Sequence, residues 1–186
     1  LLERGRLTRL DPPGAVSSQA QGINDRGQVV GEYLDAAGRY HGYVWERGRF
    51  TTIDVPGTAG TSALEVNNRG QVTGLTGDDP TAPDGFLLDR GRFTTFDAPG
   101  ATITFAAGLD DRGQVVGFST SDLTGTSFSG FLRDARGRFT AINRPGAAAT
   151  AVFGINNRGQ VVGVAGNPED QTPGPPTDTA PMGRMA

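Results

Sequence analysis

Two short motifs recur four times along the chain at matched intervals, and this internal repeat constrains the fold more than any other feature. The first motif, GRFTTIDVPG in its clearest form, begins at Gly5, Gly48, Gly91 and Gly137. The second, represented by GINDRGQVVG, begins at Gly22, Glu65, Gly108 and Gly154. Both series are spaced by 43, 43 and 46 residues. A period of about 40 to 45 residues is typical of the four-stranded blades of a β-propeller.

Composition supports strands rather than helices within each repeat. The 186 residues include 29 Gly and 12 Pro, which interrupt helices wherever they fall inside one. We therefore interpret the first complete repeat as four short strands, named A to D in order. They cover residues 18–24, 28–34, 41–46 and 49–54.

Turn residues separate these strands at the same place in every repeat. Strands A and B are joined by Asn or Asp, two further residues and then a Gly suited to positive φ, at Gly27, Gly70, Gly113 and Gly159. Arg47 and Gly48 form the turn between strands C and D. Strand D ends at a recurrent proline, which cannot donate to a strand ladder, at Pro13, Pro56, Pro99 and Pro145.

The two ends of the repeat region contain complementary halves of one repeat. The chain opens with a remnant of strand C and a strand D, whereas the last repeat holds only strands A and B. We predict an all-β, four-bladed β-propeller over residues 1–166, closed by pairing of the N-terminal C and D strands with the C-terminal A and B strands. The predicted blades are residues 18–54, 61–97, 103–143, and 149–165 together with 1–11.

Three other architectures fit the same repeat. The chain could be part of a longer ring, half of a dimeric ring, or a β-solenoid, although a monomeric closed ring is the main prediction. Residues 167–186 contain five Pro and few apolar positions, which predicts a disordered tail or linker. A proline-rich ligand for a partner domain is the alternative for this segment.

Charge and residue content exclude several classes of function. A net charge of −3 and dispersed Arg residues argue against a nucleic-acid partner. No stretch of about 18 apolar residues is present to span a membrane, and the chain opens without a signal-peptide pattern. His41 is the only histidine and there is no Cys, so we predict no metal site. Phosphate-loop and dinucleotide fingerprints are missing, so no cofactor is predicted either.

The motif set resembles the HAF repeat family of bacterial extracellular repeat proteins. The resemblance rests on GINDRGQVVG, the short strand HGYVW and GRFTTIDVPG, and it covers residues 1 to about 166 in four copies. It implies a propeller-like architecture and an extracellular or cell-surface location, with no established activity. The HAF tripeptide is replaced by His41-Gly42-Tyr43, Asp84-Gly85-Phe86 and Ser129-Gly130-Phe131.

Residues that break the repeat are the candidates for function, because residues shared by all copies are first explained by the fold. Glu65 stands where the other three repeats have Gly, and its alternative explanation is a tolerated substitution near a turn. His41, with Tyr33 and Tyr40, flanks the loop between strands B and C, where aromatic rings beside polar groups suit sugar or small-molecule stacking. A half-exposed strand start is the structural alternative for these three residues.

The same B–C position in the second repeat contains Asp78 and Asp79. These two acids are interpreted as solvated turn residues, with calcium binding as a weaker option because their spacing is not that of a known calcium loop.

Loop lengths predict which face of the fold carries the site. The B–C and D–A connections are longer and more variable than the A–B and C–D hairpins, and both longer sets emerge on one face. We predict a non-catalytic binding module with a carbohydrate, peptide or small-molecule ligand on that face. A lyase, cyclase or hydrolase using Glu65 or His41 at a central channel is the first alternative. A structural segment of a larger exported protein is the second.

Overall fold

The computed structural model describes residues 1–79, 81–123 and 127–166, and this part of the chain consists of strands and turns without a helix. Its strands are β1 (Leu2–Glu3), β2 (Arg6–Leu7), β3 (Ser17–Ile23), β4 (Val29–Leu34), β5 (Tyr40–Glu46), β6 (Arg49–Ile53), β7 (Gly60–Val66), β8 (Val72–Gly77), β9 (Asp84–Asp89), β10 (Arg92–Phe96), β11 (Ile103–Leu109), β12 (Val115–Thr120), β13 (Ser129–Arg133), β14 (Phe139–Ile142), β15 (Ala149–Ile155) and β16 (Val161–Gly166). No helix long and apolar enough to cross a membrane is found among the described residues. The tail predicted over 167–186 lies outside the described residues.

Three sheets of four antiparallel strands follow one another along the chain. The first sheet is β3-β4-β5-β6, the second β7-β8-β9-β10 and the third β11-β12-β13-β14, each in chain order. Their strands match the predicted A to D assignments to within one or two residues. The all-β class and the four-stranded repeat unit predicted from the sequence are therefore confirmed.

The predicted clasp between the two ends of the chain is not formed among the described residues. β1 pairs only with β2, and β15 pairs only with β16, as two separate two-stranded sheets. In the first sheet the B–C ladder runs from Val29↔Trp45 to Leu34↔Tyr40. By repeat register Leu2 is equivalent to Trp45, so β1 aligns with the last two residues of strand C of the first sheet. β1 and β2 contain two residues each, and this hairpin forms a ladder of only two residue pairs.

Side-chain caps and glycines shape the A–B turns as predicted. Asn24 Oδ1 accepts hydrogen bonds from the backbone N–H groups of Arg26 and Gln28, each at 3.0 Å, and Gly27 has φ of 75°. The same arrangement recurs in the other three repeats. An Asx cap followed by a left-handed residue reverses the chain within a few residues, so these turns are encoded locally.

A bulge in strand A explains a second invariant glycine of the repeat. The β3–β4 register shifts between Ala20 and Gly22, and a Cβ on Gly31 would overlap the carbonyl oxygen of Gln19. Equivalent overlaps would arise at Gly74, Gly117 and Gly163. The last residue of the RGQVVG motif is therefore Gly because strand A approaches too closely for any side chain.

The hydrophobic core lies between consecutive sheets rather than within one. Strand A of each sheet packs on strands B and C of the preceding sheet, so β7 covers β4 and β5. β11 covers β8 and β9, and β15 covers β12 and β13. One buried cluster, including Val30, Ile53, Ala63 and Phe86, joins the first and second sheets. A second joins the next pair of sheets around Val115 and Phe131.

A threonine on each inner strand also fastens it to the sheet before it. Thr61 Oγ1 accepts the N–H of Val55 at 2.9 Å, and Thr104 and Thr150 repeat this bond with Ala98 and Arg144. This stacking leaves the B–C and D–A loops on one end of the sheets, here called the long-loop face. The A–B and C–D turns form the opposite end, the turn face.

Candidate functional site

A cavity of about 330 Å³ opens on the long-loop face between the first and second sheets. This inter-sheet cleft is lined by Glu32, Arg39, Tyr40, Ser62, Leu75 and Thr76, by the backbone of Ala59 and Gly60, and by Asp78, Asp79 and Pro83. Its walls come from the B–C loops of two successive repeats and the D–A loop between them. A volume of about 300 Å³ or more is in the range of small-molecule sites.

The cleft brings the predicted acids Asp78 and Asp79 to its rim. Asp78 Oδ1 accepts the N–H of Ala59 at 2.8 Å, which joins the B–C loop to the D–A loop. Asp79 Oδ1 accepts hydrogen bonds from the hydroxyl of Thr81 at 2.6 Å and from its N–H at 2.8 Å. Both hydrogen bonds hold the pKa of Asp79 below its usual value, and the bond from the Thr81 hydroxyl has the larger effect. The lowered pKa keeps Asp79 anionic at neutral pH, and the hydrogen bonds of both aspartates hold the loop in shape.

Tyr40 forms the aromatic side of the cleft. Its side chain is 48% exposed and lies against Gly60 at the start of β7, where the lack of a side chain keeps the opening wide. The neighbouring Arg39 donates from Nη2 to the carbonyl oxygen of Thr58 at 3.2 Å, which holds the guanidinium at the wall. A half-exposed ring beside carboxylates offers both stacking and hydrogen-bond acceptance.

His41 and Tyr33 belong to a polar cluster of their own and do not line the cleft. The imidazole Nδ1 lies 2.8 Å from Asp54 Oδ1, and Nε2 lies 3.1 Å from Asp35 Oδ2. Tyr33 stacks on the imidazole with ring centroids 4.9 Å apart. Burial alone would lower the pKa of His41, but the hydrogen bonds to Asp35 and Asp54 outweigh burial and raise it. Both ring nitrogens of His41 are thus engaged by carboxylates, an arrangement that favours the protonated imidazole.

The second sheet contains three carboxylates at the positions of this cluster. By repeat register, Asp78 is equivalent to Asp35 and Asp84 to His41. Asp97 is equivalent to Asp54. Burial, the hydrogen bond to Asp97 and the charges of Asp97 and Asp78 raise the pKa of Asp84 to about 6. In the third sheet the pair is neutral, with Ser129 Oγ and Asn143 joined at 2.8 to 3.0 Å.

Sequence reasoning missed Asp54, Asp97 and Asn143 as partners of this recurrent pair. The signal that could have found them is their recurrent register, because each comes immediately after strand D and 13 or 14 residues beyond its partner at the start of strand C. Glu32 and Arg39 of the cleft were also missed. No pattern in the sequence marks them, since they meet the second sheet only through packing between sheets.

Glu65 lies away from the cleft, on the inner strand β7. Its Oε1 accepts the N–H of Val66 at 2.9 Å and lies where a Cβ on Gly22 would be contacted at 3.0 Å. Burial raises the pKa of Glu65, and the hydrogen bond from Val66 only partly offsets this effect. The carboxyl therefore lies in a crowded region of the inner strand, between the first and second sheets.

The structure separates the six predicted site residues into three places. Tyr40, Asp78 and Asp79 share the inter-sheet cleft, His41 and Tyr33 share the neighbouring cluster, and Glu65 stands alone. Within the described ranges no three His, Asp or Glu side chains are arranged to hold a metal ion. Comparison of the chain with models of known protein families and with curated proteins finds no match.

Proposed function

We propose that this protein is a non-catalytic binding module whose inter-sheet cleft holds a carbohydrate bearing amino groups. The observation that carries the proposal is the convergence of Tyr40 with the carboxylates of Glu32, Asp78 and Asp79 around one cavity of about 330 Å³. The flat, half-exposed Tyr40 ring suits the apolar face of a sugar. The carboxylates accept hydrogen bonds from hydroxyl groups and attract an ammonium group.

The electrostatic surroundings of the cleft support a cationic ligand. Its lining includes the three acidic residues Glu32, Asp78 and Asp79 and one basic residue, Arg39, whose guanidinium donates to the carbonyl oxygen of Thr58. Asp84 and Asp97 lie near Asp78 and are a further source of negative charge. In the first sheet, the position of Asp84 is occupied by His41, which pairs with the carboxylate of Asp54. An ammonium group near Asp78 would supply the positive charge that the second sheet lacks.

Architecture and location are part of the same proposal. The recurrent packing of strand A on the preceding sheet supports blades of a β-propeller, and the resemblance to the HAF repeat family supports an extracellular or cell-surface location. The catalytic alternative assigned the acid or base to His41 or Glu65, and neither residue lines the cleft. We therefore propose binding without turnover, in which the loops position a ligand on a rigid scaffold.

A matched pair of sugars tests this function. Titration with glucosamine tetramer and with its N-acetylated form, followed by calorimetry, compares ligands of the same ring structure with and without positive charge. We expect the amine form to bind more tightly and Tyr40→Ala and Asp78→Asn each to weaken it. Phe153→Ala is the control, because Phe153 is as exposed as Tyr40 but lies outside the cleft. Failure of both sugars to bind, or equal loss in the control, would overturn the proposal.

A further inference from the structure

Charge is distributed unevenly between the two ends of the sheets. Every A–B turn contains the sequence Arg-Gly-Gln, and every C–D turn of the three complete sheets contains Arg-Gly-Arg. These motifs include most of the chain's 17 basic residues, and each of their arginines is exposed. The same turns contain fewer acids, whereas the loops of the long-loop face are mainly acidic, with Asp54, Asp78 and Asp79 among them. The turn face is therefore basic although the net charge of the chain is −3.

Most arginines of these turns have no partner within the described part of the chain. Arg138 forms an ion pair with Asp134 at 2.8 Å, and Arg26 donates to Oε1 of Gln28 at 2.8 Å. The side chains of the other turn arginines form no hydrogen bond or ion pair with a described residue. Their guanidinium groups are therefore available to an external anion.

Arg47 and Arg90 hold a backbone conformation that disfavours Arg. Each is the first residue of a two-residue C–D turn that ends in Gly, and each has φ of 50°. Asn and Gly adopt this left-handed conformation more readily, and Asn-Gly is the favoured sequence of such a hairpin turn. No contact among the described residues explains why Arg stands here. Residues in such sparsely populated conformations are concentrated at functional sites, so the two turns indicate a role for the guanidinium groups.

The chemistry of this face fits a polymer whose negative charges are repeated and well separated. A guanidinium group pairs with a carboxylate through two parallel hydrogen bonds. The repeat places such groups at equivalent positions of successive sheets, as at Arg47 and Arg90 and at Arg69 and Arg112. Acids such as Asp89 lie between them and moderate the positive potential. This arrangement suits one charge per sugar ring better than duplex DNA, which carries one charge per about 1.7 Å.

The composition of the turns also favours a polysaccharide over a nucleic acid or a membrane. In the four sheets, none of the described A–B and C–D turns contains an aromatic or large apolar residue. Stacking on nucleic-acid bases uses aromatic side chains, and binding to a membrane surface is strengthened by apolar side chains that insert between the lipids. Pairing with the carboxylates of a polysaccharide requires neither.

We propose that the turn face binds an anionic polysaccharide, with Arg47 and Arg90 of the C–D turns as its principal contacts. The arginines of the A–B turns extend the same basic surface across the sheets. This surface lies at the opposite end of the sheets from the inter-sheet cleft, and its ligand has the opposite charge. The inference is therefore independent of the amine-bearing ligand proposed for the cleft.

Titration of the full chain with an oligogalacturonate decamer and with its fully methyl-esterified form tests the proposal. The two ligands share their sugar rings, and only the first is negatively charged. We expect the charged form to bind, more weakly as salt is raised, and the ester not to bind. Arg47→Asn combined with Arg90→Asn should weaken binding by about tenfold or more, because two charge-assisted contacts are lost. The same variant should melt at the parent's temperature or higher, since Asn suits the left-handed position.

A single substitution on the other face provides the matched control. Arg144 is exposed in the D–A loop that follows the third sheet, so Arg144→Asn removes one charge from the long-loop face. It should leave oligogalacturonate binding unchanged, whereas Arg47→Asn alone should weaken it. Equal losses in these two variants, or no binding of the decamer at low salt, would overturn the proposal. Tighter binding of duplex DNA or of phosphatidylserine vesicles than of the decamer would overturn it as well. Failure of the glucosamine titration would bear only on the cleft.

Discussion

His41 and Asp54 face each other where strand C begins and strand D ends, with Nδ1 of the imidazole 2.8 Å from Oδ1 of the carboxylate. The second sheet repeats this contact with two carboxyl groups, Asp84 and Asp97, and the third repeats it with a hydroxyl and an amide. One position in the fold thus carries a charged pair, a pair of acids and a neutral pair. The fold requires a polar contact here, and the chemistry of the contact differs from sheet to sheet.

Replacing His41 tests the charged pair. We expect His41→Ala to lower the free energy of unfolding by about 1 to 2 kcal/mol at pH 5.5, because two carboxylates lose a charged partner that is only partly exposed. The folded-state pKa of His41 is raised, so its contribution is complete below about pH 6.5 and is lost as pH rises through the folded value. Urea denaturation across this range should show the difference between variant and parent shrinking with rising pH. A constant difference would contradict the pairing.

Asp84 gives a pH dependence with a different window. Its folded pKa is about 6, above the usual value near 3.8. The free energy of unfolding therefore falls as pH rises from about 3.8 to about 6, because the unfolded chain releases this proton at lower pH than the folded chain does. We expect Asp84→Asn to be close to neutral at pH 4 and to stabilise the protein by about 1 kcal/mol at pH 7.5, allowing for solvent screening. Asp84→His, which restores the arrangement of the first sheet, should stabilise most near pH 6. Thermal unfolding at three pH values measures the stability of both variants. A loss of stability in Asp84→Asn at pH 7.5 would contradict the interpretation that the charged Asp84 carboxylate destabilises the fold.

Asp110 is the one buried carboxylate of the A–B turns, and its Oδ2 has no hydrogen-bond partner among the described residues. At the same position Asn67 donates from Nδ2 to Gln71 and to the carbonyl oxygen of Asp110, at 2.6 and 2.8 Å. We expect Asp110→Asn to raise stability by about 1 to 2 kcal/mol by supplying the missing donor.

The adjacent acid supplies a control of opposite sign. Asp111 accepts hydrogen bonds from the N–H of Asn68 and from Nδ2 of Asn157, both at 2.7 Å. Asp111→Asn should therefore lower stability, because an amide cannot accept at both of its atoms. Calorimetric melting of the two variants side by side provides the measurement. Equal effects of the two substitutions would show that charge alone, rather than hydrogen bonding, governs these turns.

Gly74 tests the close approach at the strand-A bulge. A Cβ at this position would overlap the carbonyl oxygen of Ser62, so we expect Gly74→Ala to cost about 2 to 3 kcal/mol or more. A Cβ added at Gly166 in β16 would meet no atom within 4 Å, so Gly166→Ala should change stability little. Denaturant midpoints of the two variants can be compared directly. Similar midpoints would show that the backbone at Gly74 moves to accept the methyl group.

Local chemistry explains why so much of the fold could be predicted. The caps at Asn24 and its equivalents, the glycines in left-handed conformation and the prolines after strand D act within a few residues, so the repeat displays them directly. Strand boundaries follow from these turns with errors of one or two residues. The candidate residues Tyr40, Asp78 and Asp79 were found because they break or flank the repeat, even though the cleft that unites them was not predicted.

By itself, the sequence determined the repeat unit, its four strands and the face that carries the long loops, because these depend on turn chemistry and on the order of strands. Only the tertiary structure decided that Tyr40 of the first sheet and Asp78 of the second line one cleft, and that His41 is held between Asp35 and Asp54. These relationships arise from the packing of one sheet on the next and from the pairing of strands within a sheet. They depend on which strands and sheets become neighbours, and the turn motifs of the repeat do not encode that choice.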